Sequence, residues 1–394
     1  MLKDEGIFYL SPEEKKKLKE QKKIDVNIRN GNYATLLHEA CYQGRIAVVR
    51  ELIAKNADIN AENCYGAIPL GYAILKNHYD IAELLLENGA DPNGHVSTDS
   101  GWSRSVLVQA IAFDENPKMA ALLKKYGANL NHRGKYGQTD AHSSYYYCDH
   151  LKKLLKAGLN LNVKDNFGKN AFFYLPSGFQ IENEEIDGIV KLLKKSGLDI
   201  NRHEEITKNT GEYVDFINPL IQAVIDGDYA RTEILLRNGA RIEAGAWAMQ
   251  SVTPLHIAAM AGDYEMVKLL VERGASIEGW HYWRVTPLSS AADLGKDYPR
   301  DVLRVDHSSE EYAKIVELLI EKGANVNNVE KYENTPLHHA VEGGCEKIVR
   351  ILLKHGAKID AANCDKETPL DVAKKLGKLK IQKIMEEAQK GMGK

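Results

Sequence analysis

One short phrase returns along this chain at a near-constant interval, and that interval restricts the fold more than any compositional figure. The phrase is Gly-Ala-x-(Ile/Val/Leu)-Asn or a close variant. It occupies nine places: 56–60, 88–93, 126–131, 157–162, 196–201, 238–243, 273–278, 322–327 and 355–360. About ten residues after most copies comes a second phrase, Thr-Pro-Leu-His, which is complete at Thr253 and Thr335 and shortened at Thr286 and Thr368. Degenerate versions begin at Thr35, Ile68, Thr139 and Asn218. Leu37 to Leu70, Leu255 to Leu288 and Leu337 to Leu370 are each 33 residues apart, so the repeating unit has 33 residues. A period of this length overrides the division of 394 residues into two or three globular domains that size alone would suggest.

The unit can be read physically in residues 253–278. Thr253 is placed to cap a helix whose first position is Pro254, where a missing N–H costs nothing. Ile257, Ala258 and Ala261 give that helix a small apolar face, and Gly262 stops it. Met266, Val267, Leu269, Leu270 and Val271 then recur at helical spacing, predicting a second helix that ends at Gly274. Truncating Leu269 is expected to cost about 2–5 kcal/mol through the cavity it would leave. Helices this short cannot bury both faces alone, so units must stack and stability becomes a sum over neighbouring interfaces.

These phrases and this period closely resemble the ankyrin repeat family over residues 32–385. The resemblance implies an all-α solenoid of about ten helix-turn-helix repeats with β-turn fingers and capping helices. The predicted organisation is an N-terminal capping helix region at 1–31, a repeat stack at 32–366, and a C-terminal capping repeat with a Lys-rich tail at 367–394. Departures from the 33-residue spacing place insertions near 94–104, 174–185, 202–216 and 293–310, as surface loops. Residues 137–201 follow the pattern least, with Asp140-Ala141 standing where Pro-Leu belongs. In the C-terminal repeat, Val372, Leu376, Ile381, Ile384 and Met385 are expected to face inward, with Lys374, Lys375, Lys378, Lys380 and Lys383 outward.

Composition excludes several functions. Lys plus Arg number 52 against 55 Asp plus Glu, a net charge of −3 that offers no attraction to a phosphate backbone. No apolar run is long enough to span a bilayer, and the start of the chain lacks a signal-peptide core, so neither membrane nor export is expected. Five scattered cysteines without a Cys-x-x-Cys pair suggest neither a disulfide framework nor zinc, which fits a reducing cytoplasm. Phosphate-loop, dinucleotide, zinc-protease, serine-hydrolase and calcium-loop signatures are all missing. The expectation is therefore no enzyme, no catalytic residue, no cofactor and no metal. The cluster from His142 to His150, with Cys148 and Asp149, is the nearest thing to a metal motif, but its two histidines are eight residues apart and no partner pair follows. The family resemblance gives His38, His256 and His338 a structural part, hydrogen-bonding the neighbouring turn.

Surface aromatics carry the functional expectation. The resemblance implies that fingers and first helices form the concave side, and the fingers hold Tyr65, Trp102, Tyr136, Phe167, Trp247, Trp280, Tyr282, Trp283 and Tyr332. Large aromatics in turns are costly to expose unless they meet an insertion or a partner. Trp102, Trp247, Trp280, Tyr282, Trp283, Arg284 and Tyr332 are therefore the predicted partner-binding residues of a monomeric, non-catalytic protein-interaction scaffold. Three alternatives stand beside it. One is an enzyme or enzyme-modulating subunit whose pocket is built by the insertions, with His203, Asp301, Asp306 and His307. The second is a nucleic-acid binder using the Lys-rich ends. The third is a microbial effector or inhibitor that occludes a target protein.

Overall fold

A proline or threonine at the start of most repeats decides where the first helix begins, and Ser105 and Asn170 cap the first turns of two others. The computed structural model describes residues 25–97, 103–134, 136–142, 148–175, 183–245 without 208–212, 252–279, 284–295 and 308–392. The predicted N-terminal capping helix lies outside these residues. By its internal contacts the chain divides into two units, Met1–Asp165 and Asn166–Lys394, described in turn.

In the first unit the helices are α1 (Leu36–Tyr42), α2 (Ile46–Ala54), α3 (Pro69–Leu75), α4 (Tyr79–Glu87), α5 (Val106–Val108), α6 (Pro117–Lys125) and α7 (Cys148–Lys156). α5 continues as a π-helical turn over Gln109–Phe113, and a 3-10 turn occupies Asp140–His142, where the sequence lacks the usual proline. α1 packs on α3, and Leu37, Leu70, Ile74 and Leu85 are fully buried between the pairs.

The second unit opens with a 3-10 turn at Ala171–Tyr174, followed by α8 (Asn183–Lys195), α9 (Pro219–Ile225), α10 (Tyr229–Arg237), α11 (Pro254–Ala261), α12 (Tyr264–Glu272) and α13 (Pro287–Ala292). It closes with α14 (Ser309–Glu321), α15 (Pro336–Gly343), α16 (Glu346–Lys354), α17 (Pro369–Lys375) and α18 (Leu379–Met392). First helices stack in the series α9, α11, α13, α15, α17, and second helices in the series α10, α12, α14, α16, α18. Each unit is thus a run of helical hairpins whose apolar stripes meet only their neighbours, as the 33-residue period requires.

Three sequence expectations need correcting. Leu269 of α12 is only half-buried, whereas Leu270 has no exposed surface, so the cavity-forming residue is the next one along. Leu376 ends α17 and is 49% exposed, because the helix stops before that position turns inward. The insertions near 94–104 and 202–216 are more than surface loops: they form antiparallel hairpins, β1 (His95–Ser97) with β2 (Ser103–Ser105) and β3 (Glu204–Thr207) with β4 (Tyr213–Ile217). Val96 and Ile206 are buried between polar neighbours, a period-2 signal too short to stand out in the sequence. No described helix is long and apolar enough to cross a membrane.

The asparagine that ends the recurrent phrase has a definite task. In the first unit its Oδ1 accepts the backbone N–H of the next copy's variable residue: Asp58 to Asn27 (2.7 Å), Asp91 to Asn60 (2.8 Å), Asn129 to Asn93 (2.9 Å) and Asn160 to Asn131 (2.8 Å). The second unit repeats this with Arg241 to Asn201 (2.7 Å) and Lys358 to Asn327 (2.8 Å), while Glu243 and Glu278 replace the asparagine and still accept from Ser276 and Asn325. Where asparagine is kept at 60, 131, 201 and 327, its Nδ2 also donates to the glycine carbonyl of the next copy. Asn27 belongs to this ladder although its copy lacks Gly-Ala, so the repeating element starts one unit earlier than the phrase count indicates.

Candidate functional site

The fingers between repeats are held by backbone turns and, in three of them, by an asparagine side chain. Two residues ahead of the first-helix cap the chain turns left-handed in most described fingers, among them at Tyr33 (φ 60°), Gly66 (73°), Gly137 (76°), Arg284 (60°), Glu333 (61°) and Lys366 (64°). In three fingers an asparagine closes the turn, its Oδ1 accepting two N–H groups: Asn30 from Asn32 and Ala34, Asn63 from Tyr65 and Ala67, Asn363 from Asp365 and Glu367. Adjacent fingers are tied by Cys64 N–H to the Asn32 carbonyl and Cys364 N–H to the Tyr332 carbonyl, both at 3.0 Å. The two exposed cysteines therefore sit at one equivalent position, where their backbone does the work.

Beneath the fingers lies the histidine set. His38 Nδ1 accepts the Thr35 N–H (3.0 Å) while its Nε2 reaches the Ala67 carbonyl of the next repeat (3.1 Å). His338 repeats the pattern with Thr335 and the Glu367 carbonyl, and His256 joins Thr253 Oγ1 (2.8 Å) to the Val285 carbonyl (3.0 Å). The expected structural part is what these three play. Burial pushes the His38 imidazole down to about 4, and burial lowers that of His338 too, so both are neutral and able to accept at Nδ1.

His142 falls into the same arrangement, with Nδ1 accepting the Thr139 N–H at 3.0 Å. That gives Nδ1 the same structural part as in His38 and His338. His150, at the far end of the same cluster, packs against Phe113 with the rings tilted by 46° and their centres 4.2 Å apart, and Arg104 lies over the Phe113 ring at 3.7 Å. Residues 143–147 between them lie outside the described part. His203 Nε2 bonds the Gly245 carbonyl (2.9 Å), again a structural contact, while Asp301, Asp306 and His307 lie outside the described residues.

Five of the predicted binding residues, Trp102, Trp247, Trp280, Tyr282 and Trp283, also lie outside them. The other two are placed. Arg284 is exposed at a left-handed fingertip, and Tyr332 is 52% exposed one residue before the next such tip. Tyr65 (48%) and Tyr136 (50%) occupy that same register, three residues before Ile68 and Thr139, as Tyr332 stands three before Thr335. Tyr33 is the most exposed of the four at 60%, and the sequence did not mark it. Its position two residues before Thr35 was the available signal.

Under the β1–β2 hairpin the first unit also carries a cavity of about 260 Å³, lined among others by His95, Arg104, Asn129, His132, Gln138 and Asp140. Asp140 accepts the Ser105 hydroxyl at 2.9 Å, and burial pushes its carboxyl up to about 6. A volume below the ~300–1,000 Å³ of small-molecule sites suits a single inserted side chain better than a cofactor.

A family model described as ankyrin repeats (3 copies) matches residues 11–96, 179–279, 220–298 and 307–390, passing over the middle section where the phrases are most degenerate. Among curated proteins, a putative ankyrin repeat protein of Acanthamoeba polyphaga mimivirus is 33% identical over 126 residues, 32% of this chain and 16% of that protein. The E3 ubiquitin-protein ligase KEG of Arabidopsis thaliana is 24% identical over 242 residues, 56% of this chain and 14% of the ligase. Inversin of Mus musculus is 28% identical over 178 residues, 37% of this chain and 17% of inversin. The chain thus spans less than a fifth of each of these relatives.

Proposed function

Because the chain belongs to the ankyrin repeat family, whose repeats are generally protein-binding and non-catalytic modules, we propose that it is a non-catalytic scaffold that grips a partner protein through its fingertip side chains. The observation that carries this is the repeated placement of tyrosine at the finger tips, roughly half exposed, on turns that the backbone has already fixed. A tyrosine on a rigid turn brings large amphipathic contact area at small entropic cost, because only two side-chain torsions remain to be frozen. Trp283 stands three residues before Thr286, so the sequence continues the same register with an indole. The cavity beneath β1–β2 supports the same reading as a socket for one partner side chain.

The test is affinity capture of a partner by the full chain, followed by titration of the purified pair. Tyr65→Ala with Tyr136→Ala, and separately Trp283→Ala with Tyr332→Ala, should leave the helical circular dichroism intact. At least one pair should weaken binding by about 2 kcal/mol, roughly thirtyfold. If both double variants bind the partner as the parent does, the fingertips are not the binding surface.

A further inference from the structure

In one repeat of the second unit, polar residues replace the pattern in two places at once. At the position where other fingers carry the turn-closing Asn30, Asn63 or Asn363, this finger carries Glu330, and its backbone N–H still bonds the Asn334 carbonyl. Nine residues later, where Asn63 has Tyr72 as its hydrogen-bond partner, Glu330 has His339. The equivalent positions of the adjacent first helices are Ile257, Ser290 and Val372, so an imidazole with 4% exposure is an unusual occupant.

Glu330 Oε1 takes His339 Nε2 at 2.8 Å, which leaves Nδ1 as the nitrogen that faces the helix ends. Nδ1 makes no hydrogen bond. Beside it stand two carboxylates: Glu342, one turn on in α15, with Oε2 4.0 Å from Nδ1, and the buried Asp293 at the end of α13, with a carboxylate oxygen within 4.8 Å of an imidazole nitrogen. Asp293 and Glu342 hold the same place in consecutive repeats, six residues after Pro287 and Pro336. The helices can bring them together because Gly343 has no side chain: a Cβ there would lie 2.8 Å from the Ala292 carbonyl and 3.2 Å from the Asp293 carbonyl carbon.

An imidazole with one nitrogen donating to a carboxylate and the other directed at two more carboxylates has the makings of a metal ligand set. The first contact is the carboxylate–histidine pairing that orients a ligating imidazole and raises its basicity. We propose that Asp293, His339 Nδ1 and Glu342 bind a divalent first-row transition ion, Zn²⁺ being the probe of choice, with Glu330 as the positioning residue behind the imidazole. The donor set of one nitrogen and two carboxylate oxygens suits Zn²⁺ better than Mg²⁺ or Ca²⁺, which seek oxygen only.

The three donor atoms lie within 4.8 Å of one another. A tetrahedral ion at ~2.1 Å from each ligand requires separations of about 3.4 Å, so the donors must close by roughly 1 Å. Glu342, exposed and on the outer side, can make most of that movement. The ion would fasten the end of α13, where the chain departs into the 293–310 insertion, to α15. Such a site leaves no contiguous motif, since its ligands are spread over fifty residues.

The experiment is isothermal titration of the full chain with ZnCl₂ after chelator dialysis, repeated for Glu342→Gln and Asp293→Asn, with Co²⁺ absorption as a second readout. Glu342→Gln removes a ligand at an exposed position and keeps the fold accessible to measurement should the buried Asp293→Asn fail. Expected are one tight Zn²⁺ equivalent, a thermal midpoint raised by Zn²⁺ and not by Mg²⁺, and visible Co²⁺ bands of a low-coordinate nitrogen–oxygen site. Each variant should bind at least about tenfold more weakly and lose those bands. Zn²⁺ binding of the same strength in the parent and in Glu342→Gln would overturn the assignment. So would a His339 imidazole that stays doubly protonated, by nitrogen NMR, in the presence of excess Zn²⁺.

Discussion

Replacing Asn327 with alanine tests the ladder that joins successive repeats. Its Oδ1 accepts the Lys358 N–H at 2.8 Å, and its Nδ2 donates to the Gly356 carbonyl at 3.0 Å. The side chain is half-buried and both partners are at exposed positions, so each bond belongs to the lower half of the usual net range of about 0.5–1.5 kcal/mol. Two bonds then give about 1–2 kcal/mol, with little packing lost because only a short polar side chain is removed. Asn327→Asp keeps the acceptor, loses the donor, and should cost about half as much. Urea unfolding followed by circular dichroism reads the total, and amide exchange locates it. The Lys358 N–H should lose protection by roughly tenfold in Asn327→Ala, while Asp91, whose acceptor is Asn60 in the first unit, should be untouched. A change in the unfolding midpoint worth less than about 0.3 kcal/mol, or a Lys358 amide that keeps its protection, would refute the claim that this asparagine joins repeats energetically.

Two further outcomes follow from the packing and from the histidines. Leu270→Ala should cost about 2–5 kcal/mol in urea unfolding and Leu269→Ala distinctly less, and equal costs would contradict their different burial. Acidification should also destabilise the fold through His38. Its folded value of about 4 lies below the unfolded value near 6.5, so the unfolded chain takes up the proton first. The contribution is complete above the unfolded value and is lost as pH falls toward 4, amounting to about 2–3 kcal/mol. His339 works in the opposite sense. Burial opposes its proton, but the Glu330 hydrogen bond and the surrounding carboxylates raise its value, so its contribution is present at low pH and lost as pH rises. Stability profiles from pH 7.5 to 4.5 should therefore flatten in His38→Gln, and an unchanged slope would show that His38 does not carry the dependence.

How much of this the sequence made legible depends on the range of the forces involved. The period, the Pro-started first helices and the bonds of His38, His256 and His338 could be foreseen because each depends on residues within one unit or at a fixed offset of one unit. The ladder could not be read from the phrase alone. Only the folded chain places Asn60 against Asp91, and only that contact reveals Asn27 as a member lacking its glycine. The hairpins escaped notice because strands of three to five residues carry too little alternation. The carboxylates around His339 were invisible for a different reason. Glu330, His339 and Glu342 are separated by ordinary helical and turn spacings, and Asp293 is brought in from the preceding repeat through a glycine.

Tyr33, Arg284, Glu333 and Lys366 each adopt a backbone conformation that glycine would occupy with little strain, and that other residues adopt at a cost of roughly 1–2 kcal/mol. An aromatic ring, a cation, an anion and a second cation are thus carried on four tips where a bare hydrogen would give a more robust protein. Resilience has been given up there in exchange for diversity of outward chemistry.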